Sequence, residues 1–514
     1  MSLFRPIATV GGLTLLSRVT GLAREMMVAH FLGASAVADA FFVAFRFPNL
    51  FRSLFAEGAL NAAFVPLYTG KLTEGGQDEA DRFAAHALSL LALALSLFVA
   101  VMEMAMPWAM MVLAPGFADV PGKSQLAVEF SRICFPYLLF ISMTALQSGI
   151  LNSVGRFAAA AGTPILLNLV SMLGLWVLAP YTETPGHALA WGTFASGVAQ
   201  FSWLIFSVRK AGVRIRFALP ELSPDMRTLF VRMVPGAIGA GVYQVNLVVN
   251  TMIASTVANG AVSYLNYADR VNQLPLGVVG IAIGTALLPL LSRQIRQGEG
   301  QAALVSQNRA LEVGLLLTVP AAAALMSMSH PVIQLLFQRG SFGPEATTAT
   351  AHALIAFAGG LPAYVLVKIL TPAFFARHDT STPVRVAAGV VVANVTLNLA
   401  LAGPLGHVGM ALATAVAAWF NVAALTVILA RRGYFHADAR LLARAPRILA
   451  AAAVMAAAIH ILSGILQGWM ATESGLGAAV GVLVAAGLAV FAVAAHFLGA
   501  ASVSDVKSIM RRRS

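Results

Sequence analysis

The feature that most constrains this chain is the recurrence, from end to end, of apolar stretches long enough to cross a bilayer. About 20 apolar residues in a helix cover a hydrocarbon core roughly 30 Å thick. Fourteen segments meet that description, near 8–30, 37–69, 85–113, 126–153, 159–179, 187–208, 228–257, 263–291, 310–338, 346–376, 386–402, 405–430, 448–467 and 474–500. With 59% hydrophobic and 11% charged residues over 514 positions, too little polar surface remains to coat a soluble enzyme. The expected fold class is an all-α polytopic membrane protein. The second, eighth and tenth segments are long and contain Pro48, Pro275 and Pro362, which predicts bent helices there.

An even number of spans puts both termini on one side. Of the 33 Lys and Arg, 23 fall on that side and only Lys123 and Arg339 on the other, so the positive-inside rule makes both termini cytoplasmic. The net charge of +12 then reflects topology and calls for no nucleic-acid partner. The cluster Arg431, Arg432, Arg440, Arg444 and Arg447 is expected to be a solvated face of the same kind, with contact to anionic membrane lipids second. Arg5, an apolar run and Ala34-Ser35-Ala36 imitate a secretory signal, but Arg18 and Arg24 interrupt the run, so the first helix is expected in the mature protein. The lone Cys134 excludes an intramolecular disulfide and a cysteine metal site.

Four features recur at offsets of 219–226 residues: Arg46 with Arg270, Pro66 with Pro289, Pro136 with Pro362, and Thr163-Pro164 with Thr382-Pro383. An offset of six helices relates the repeats by an axis along the membrane normal, and repeat interfaces are where transporters hold substrates. The division expected is an N-lobe over 1–215, a C-lobe over 216–440, and an appended helix pair with the tail over 441–514.

Eight basic residues remain inside the spans: Arg18, Arg24, Arg46, Arg52, Arg132, Arg232, Arg270 and Lys368. A charge at mid-bilayer costs at least ~2.5–3.5 kcal/mol, so such groups line a cavity or pair internally. Arg132 and Arg232 stand near span ends and can snorkel to the interface. Arg18, Arg24, Arg52 and Arg270 are the candidate ligands of a central cationic cavity, with Asp39, Glu57 and Asp269 as counter-ions or gating carboxylates. Guanidinium forks suit an anion with several oxygens, phosphate above all, and a site inside the bilayer points to a lipid-linked phosphate or pyrophosphate. A nucleotide site is not expected: Gly122-Lys123-Ser124 lacks the upstream glycine and reads as a coincidence in an external loop. The ten histidines show no ligand spacing, so neither metal nor cofactor is expected. Asn394-Val395-Thr396 forms a glycosylation sequon but falls within a span.

Several strings together resemble the MurJ (MviN) family of bacterial lipid II flippases, members of the multidrug/oligosaccharidyl-lipid/polysaccharide exporter superfamily. They are Ser17-Arg18-Val19-Thr20-Gly21-Leu22-Ala23-Arg24, the run from Ala38 to Leu50, Phe55-Ala56-Glu57-Gly58-Ala59, Ala114-Pro115-Gly116-Phe117, Tyr267-Ala268-Asp269-Arg270 and Gly284-Thr285-Ala286-Leu287-Leu288-Pro289. The resemblance implies an inner-membrane transporter in which two six-helix lobes alternate access and a further pair makes a groove for the lipid tail. Its implied substrate is lipid II, undecaprenyl-pyrophosphate-linked disaccharide-pentapeptide, moved to the periplasmic leaflet. The family's cavity residues fall on Arg18, Arg24, Asp39, Arg52, Glu57 and Arg270. The resemblance also implies that some relatives bind sodium between the seventh, eleventh and twelfth helices through Asp and Asn side chains, but the seventh segment here, 228–257, has no Asp or Glu, so that ion is not carried over.

Three rivals have distinguishing features. Export of another lipid-linked glycan uses the same cavity, whereas cationic drugs would be repelled by it. A membrane enzyme of glycan assembly needs an external catalytic acid, and the external loops offer only Asp119, Glu183, Glu345 and Glu473. A non-transporting scaffold has no reason to bury arginines. Without a nucleotide, direction would come from the membrane potential, about 2.3 kcal/mol per charge per 100 mV, whose inside-negative sign drives anions outward.

Overall fold

The computed structural model describes residues 4–53, 59–214 and 218–501, and among them the chain is helical with no strand. In order the helices are α1 (Phe4–Leu32), α2 (Ala36–Arg52), α3 (Ala59–Glu74), α4 (Gly76–Leu113), α5 (Lys123–Cys134), α6 (Tyr137–Ser153), α7 (Phe157–Leu178), α8 (Pro185–Lys210), α9 (Pro224–Val257), α10 (Ala261–Arg296), α11 (Gly300–Ser327), α12 (Ser329–Phe337), α13 (Pro344–Phe375), α14 (Ser381–Arg431), α15 (Ala439–Ile465), α16 (Gln467–Met470) and α17 (Glu473–Phe497). Short polar residues fix several starts. Ser35, Ser223, Asp438 and Thr472 each accept a backbone N–H from the first turn of the helix that follows, satisfying a donor with no intrahelical partner.

Among the described residues, nine helical stretches are long and apolar enough to cross a membrane. Their outward faces carry large apolar side chains: Leu97, Trp108, Trp176, Leu399 and Leu488 are each 66% exposed. Water would not tolerate so many; hydrocarbon does. Among the described residues the fourteen expected segments fall on helices, but the segmentation differs in places. The second covers α2, described to Arg52 with Pro48 inside it, and α3, described from Ala59. Pro275 and Pro362 likewise lie within α10 and α13. The fourth expected segment is α5 followed by α6, and the eleventh and twelfth run together as α14, interrupted at Gly406 (φ 59°, ψ −141°). Only glycine takes that conformation without strain, so the break is written into the sequence.

By packing, the chain forms two compact units, Met1–Ser263 with Arg339–Phe342, and Tyr264–Gln338 with Gly343–Ser514. In the first, Phe64 stacks between Tyr68 and Phe83 at ring separations of 5.6 and 5.5 Å, and Leu146, Ile150 and Leu204 close around them. Met226, Leu229 and Met233 join this core, so the start of α9 packs on α3 and α4. The second unit centres on α13, whose Val365, Ile369 and Ala373 meet Leu287 and Leu425. There α15 and α17 lie against α11 and α12 through Val319, Ile448 and Ala495 and through Met328, Met455 and Leu483.

Candidate functional site

The two ends of α2 carry two of the expected site residues. At its start Asp39 is wholly buried, with a relative exposure of 0%. A carboxylate in a first helical turn gains from the positive end of the helix dipole, but burial at this depth demands a full set of donors. Asp39 Oδ2 accepts from Lys123 Nζ and from the Gly260 N–H, both at 2.7 Å, and Oδ1 accepts from the Ser263 N–H at 2.8 Å and the Ser263 hydroxyl at 2.6 Å. Four donors saturate the two oxygens. The partner expected from the sequence was one of the arginines; the structure supplies Lys123 instead.

Lys123 is itself 2% exposed, although the sequence placed it in an external loop. It opens α5, where a positive charge meets the dipole with the wrong sign, so Asp39 must hold it. Its ammonium also donates to Asn259 Oδ1 at 2.9 Å and sits 4.3 Å from the centre of the Phe117 ring. The Ala114-Pro115-Gly116-Phe117 string acquires a physical meaning here. A Cβ on Gly116 would come within 2.3 Å of the Ser255 carbonyl oxygen, and its N–H donates to Ser255 Oγ, so glycine lets Phe117 slide beneath the lysine. Lys123 was legible in one respect: it is a rare Lys on the basic-poor side of the membrane.

On α1, Arg24 donates to Glu25 Oε1 at 2.7 Å and its guanidinium lies 5.7 Å from the Phe45 ring centre. Its side chain is 12% exposed and that of Glu25 4%, an ion pair in a desolvated setting. Arg18 is half-buried and has no hydrogen-bond partner among the described residues. At the end of α2, Arg52 Nε donates to Asn49 Oδ1 at 2.9 Å, and Arg46 reaches Thr251 Oγ1 at 2.9 Å. Glu57 lies outside the described residues. In the second unit Asp269 and Arg270 are half-buried neighbours on α10, and Gln273 donates to the Asp269 carboxylate. Arg132, Arg232 and Lys368 are exposed, Arg132 donating to the Glu103 carbonyl. Asn394, of the sequon, is 2% exposed and accepts from Asn398 one turn on.

The connector before α15 is more structured than a solvated basic face. Glu312 on α11 is 5% exposed and accepts from Arg309, Arg440 and Arg444. Arg309 also pairs with Asp438, whose carboxyl is held below its ordinary value: burial pushes it up, but the Leu441 amide and Arg309 prevail. Arg432 pairs with Asp379 at 2.5 Å and donates to Thr382 Oγ1 at 3.0 Å. The Thr382 hydroxyl, this guanidinium and the Thr382 amide hold the Asp379 carboxyl far below the usual carboxylate range. Specific pairing therefore absorbs Arg432, Arg440 and Arg444, leaving Arg431 and Arg447 as exposed charges.

Apolar helices facing lipid, half-buried arginines on α1, α2 and α10, and a saturated buried ion pair are the features of a polytopic helical transporter. In fold the chain is similar to a multidrug resistance MATE family transporter of the MOP superfamily in an inward-facing conformation, with a TM-score of 0.69 at 14% identity over 83% of this chain and 98% of that one. It is more similar to a structure described as lipid II flippase MurJ, inward closed conformation, with a TM-score of 0.80 and 25% identity over 95% and 98% of the two chains. The family profile described as lipid II flippase MurJ matches residues 28–478. The chain is 44% identical to a probable lipid II flippase MurJ of Rhizobium meliloti (strain 1021), over all of this chain and 97% of that protein. It is 37% identical to the lipid II flippase MurJ of Burkholderia cenocepacia over 90% of each. The chain belongs to the lipid II flippase MurJ family.

Proposed function

We propose that this protein moves lipid II from the cytoplasmic to the periplasmic leaflet of the bacterial inner membrane by alternating access, with both termini cytoplasmic. Membership of the family over 28–478 carries the reading, and the half-buried arginines would supply its chemistry. Unaided passage of a pyrophosphate and a sugar-peptide through hydrocarbon is prohibitive because each polar group loses its water. In this reading Arg18, Arg24, Arg52 and Arg270 line a water-filled cavity between lobes 1–215 and 216–440 and replace that hydration. The polyprenyl tail stays in lipid beside the appended helices of 441–514. Asp39, Glu57 and Asp269 balance the arginines when the cavity is empty. Asp39 with Lys123 and the 259–263 turn would act as the outer gate, a role their saturated buried pairing supports. This reading calls for no nucleotide, nucleic acid or cofactor, and its partners are lipid II and the membrane lipids. Leaflet-resolved measurement of labelled lipid II in cells depleted of this protein tests the reading. Precursor should accumulate in the inner leaflet and return to the outer one on re-expression; unaltered distribution would refute it.

A further inference from the structure

On and beside helices that carry none of Arg18, Arg24, Arg52 and Arg270, the fold assembles three metal-ligating side chains that no sequence spacing announces. Glu129 lies on α5, His187 in the first turn of α8, and Glu183 in the turn just before α8. One donor atom from each falls within 4.8 Å of the other two. Gly186 makes this possible. A Cβ there would come within 2.4 Å of the Phe130 ring, so its absence lets the start of α8 close onto α5 and brings His187 beside Glu129. Phe130 then packs edge-on to the imidazole at 4.8 Å.

We propose that Glu129, Glu183 and His187 bind a first-row divalent cation, zinc in the first instance. One imidazole and two carboxylates are a ligand set that zinc accepts, and oxygen-seeking magnesium has little use for the imidazole. Two ligand atoms each ~2.1 Å from a tetrahedral ion stand about 3.4 Å apart. His187 Nε2 and Glu129 Oε2 are 3.2 Å apart. The outer shell is present as well. Thr184 Oγ1 lies 3.0 Å from His187 Nδ1, which fixes the ring and leaves Nε2 for the ion, and Gln125 Nε2 donates to Glu129 Oε1 at 2.8 Å. Charge argues the same way: among the described residues no Lys or Arg pairs with either carboxylate, so two negative charges face a single imidazole. A dication neutralises them. Glu183 is exposed, which leaves a coordination position open to water.

The bound ion would tie α8 to α5, and α5 begins at Lys123, so it would stiffen the helix that holds the partner of Asp39. The full-length protein in detergent, stripped with a chelator, is titrated with zinc by calorimetry and with cobalt by visible absorption. One saturable equivalent is expected, with the strong absorption of tetrahedral cobalt and no competition from excess magnesium. H187Q and E183Q should each weaken binding about tenfold or more. Glu183 is exposed and His187 half-buried, and melting curves of the chelated variants check that they fold. Absence of saturable zinc binding in the wild-type protein would overturn the proposal, leaving His187–Glu129 as an ordinary hydrogen bond. Binding unchanged in both variants would place the metal elsewhere and overturn it equally.

Discussion

Replacing Lys123 by methionine removes the ammonium from a pair in which the side chains are 1% and 0% exposed. Asp39 would keep its three donors from Gly260 and Ser263 but would be a buried charge without a counter-ion. Taking one partner from such a pair costs about 3–5 kcal/mol. If Asp39 and Lys123 regain water when the outer gate opens, that cost falls on the closed state alone. At 1.4 kcal/mol per tenfold, the closed-to-open ratio should fall by a factor of roughly one hundred to a few thousand. Asp39→Asn should act in the same direction. Turned one way, its NH2 group meets Lys123 and the Gly260 N–H and two of the four hydrogen bonds are lost; turned the other way, the Ser263 hydroxyl can rotate to accept and only the Ser263 N–H contact is lost, but in both cases Lys123 loses its counter-ion. The double variant removes both charges and should be closed more often than the sum of the single effects allows, with a coupling of about 2 kcal/mol or more. The assay is labelling by a membrane-impermeant thiol reagent from outside. The reporter is Ala261→Cys, a position with 0% exposure, in a Cys134→Ala background. Single variants no more accessible than the parent, or strictly additive effects in the double, would show that the pair holds the fold and not the gate.

Arg24→Ala and Arg270→Ala should leave the protein inserted but stop flipping in a leaflet assay, with Arg→Lys restoring part of it because a point charge lacks the fork; normal flipping by both alanine variants would remove the cavity from the mechanism. Glu312→Ala strips the shared acceptor from Arg309, Arg440 and Arg444 and should lower thermal stability by about 1–3 kcal/mol, whereas Arg431→Ala with Arg447→Ala should melt like the parent; equal melting of all three would mean the Glu312 cluster contributes nothing. Asp379, with its carboxyl depressed in the folded state, should stabilise the turn before α14 above the ordinary carboxylate pKa of ~4 and lose that contribution as pH falls through the lower folded value. Asp379→Asn should therefore flatten the acid limb of the stability profile, and an unchanged limb would assign the pairing no role.

The apolar segments were legible because the bilayer imposes one length on every span. Where one segment ends and another begins was less so. Gly406 breaks α14 by a backbone conformation that many other glycines in the chain do not adopt, and α5 and α6 divide within one continuous apolar run. The burial of Arg24 could be expected from its cost in hydrocarbon. Its neighbour Glu25 and the Phe45 ring depend on side-chain directions that periodicity does not carry. Lys123 was missed because orientation rules count charges by loop, and a lysine beside a helix start looks solvated until a carboxylate some eighty residues earlier in the chain is folded onto it. The three arginines on Glu312 come from two helices far apart in sequence, a convergence that no spacing along the chain announces.

The Glu312 cluster also has a mechanical consequence. Three arginines converge on one carboxylate at the head of α15, while Val319, Ile448 and Ala495, then Met328, Met455 and Leu483, continue the same seam along α11 and α12. A helix clamped at one end and zipped along its length cannot trail behind its neighbour. Any tilt of α11 would then be delivered to α15 and α17 as the tilt of a single lever. Whatever rests against that outer pair would move with the same stroke, without a hinge of its own.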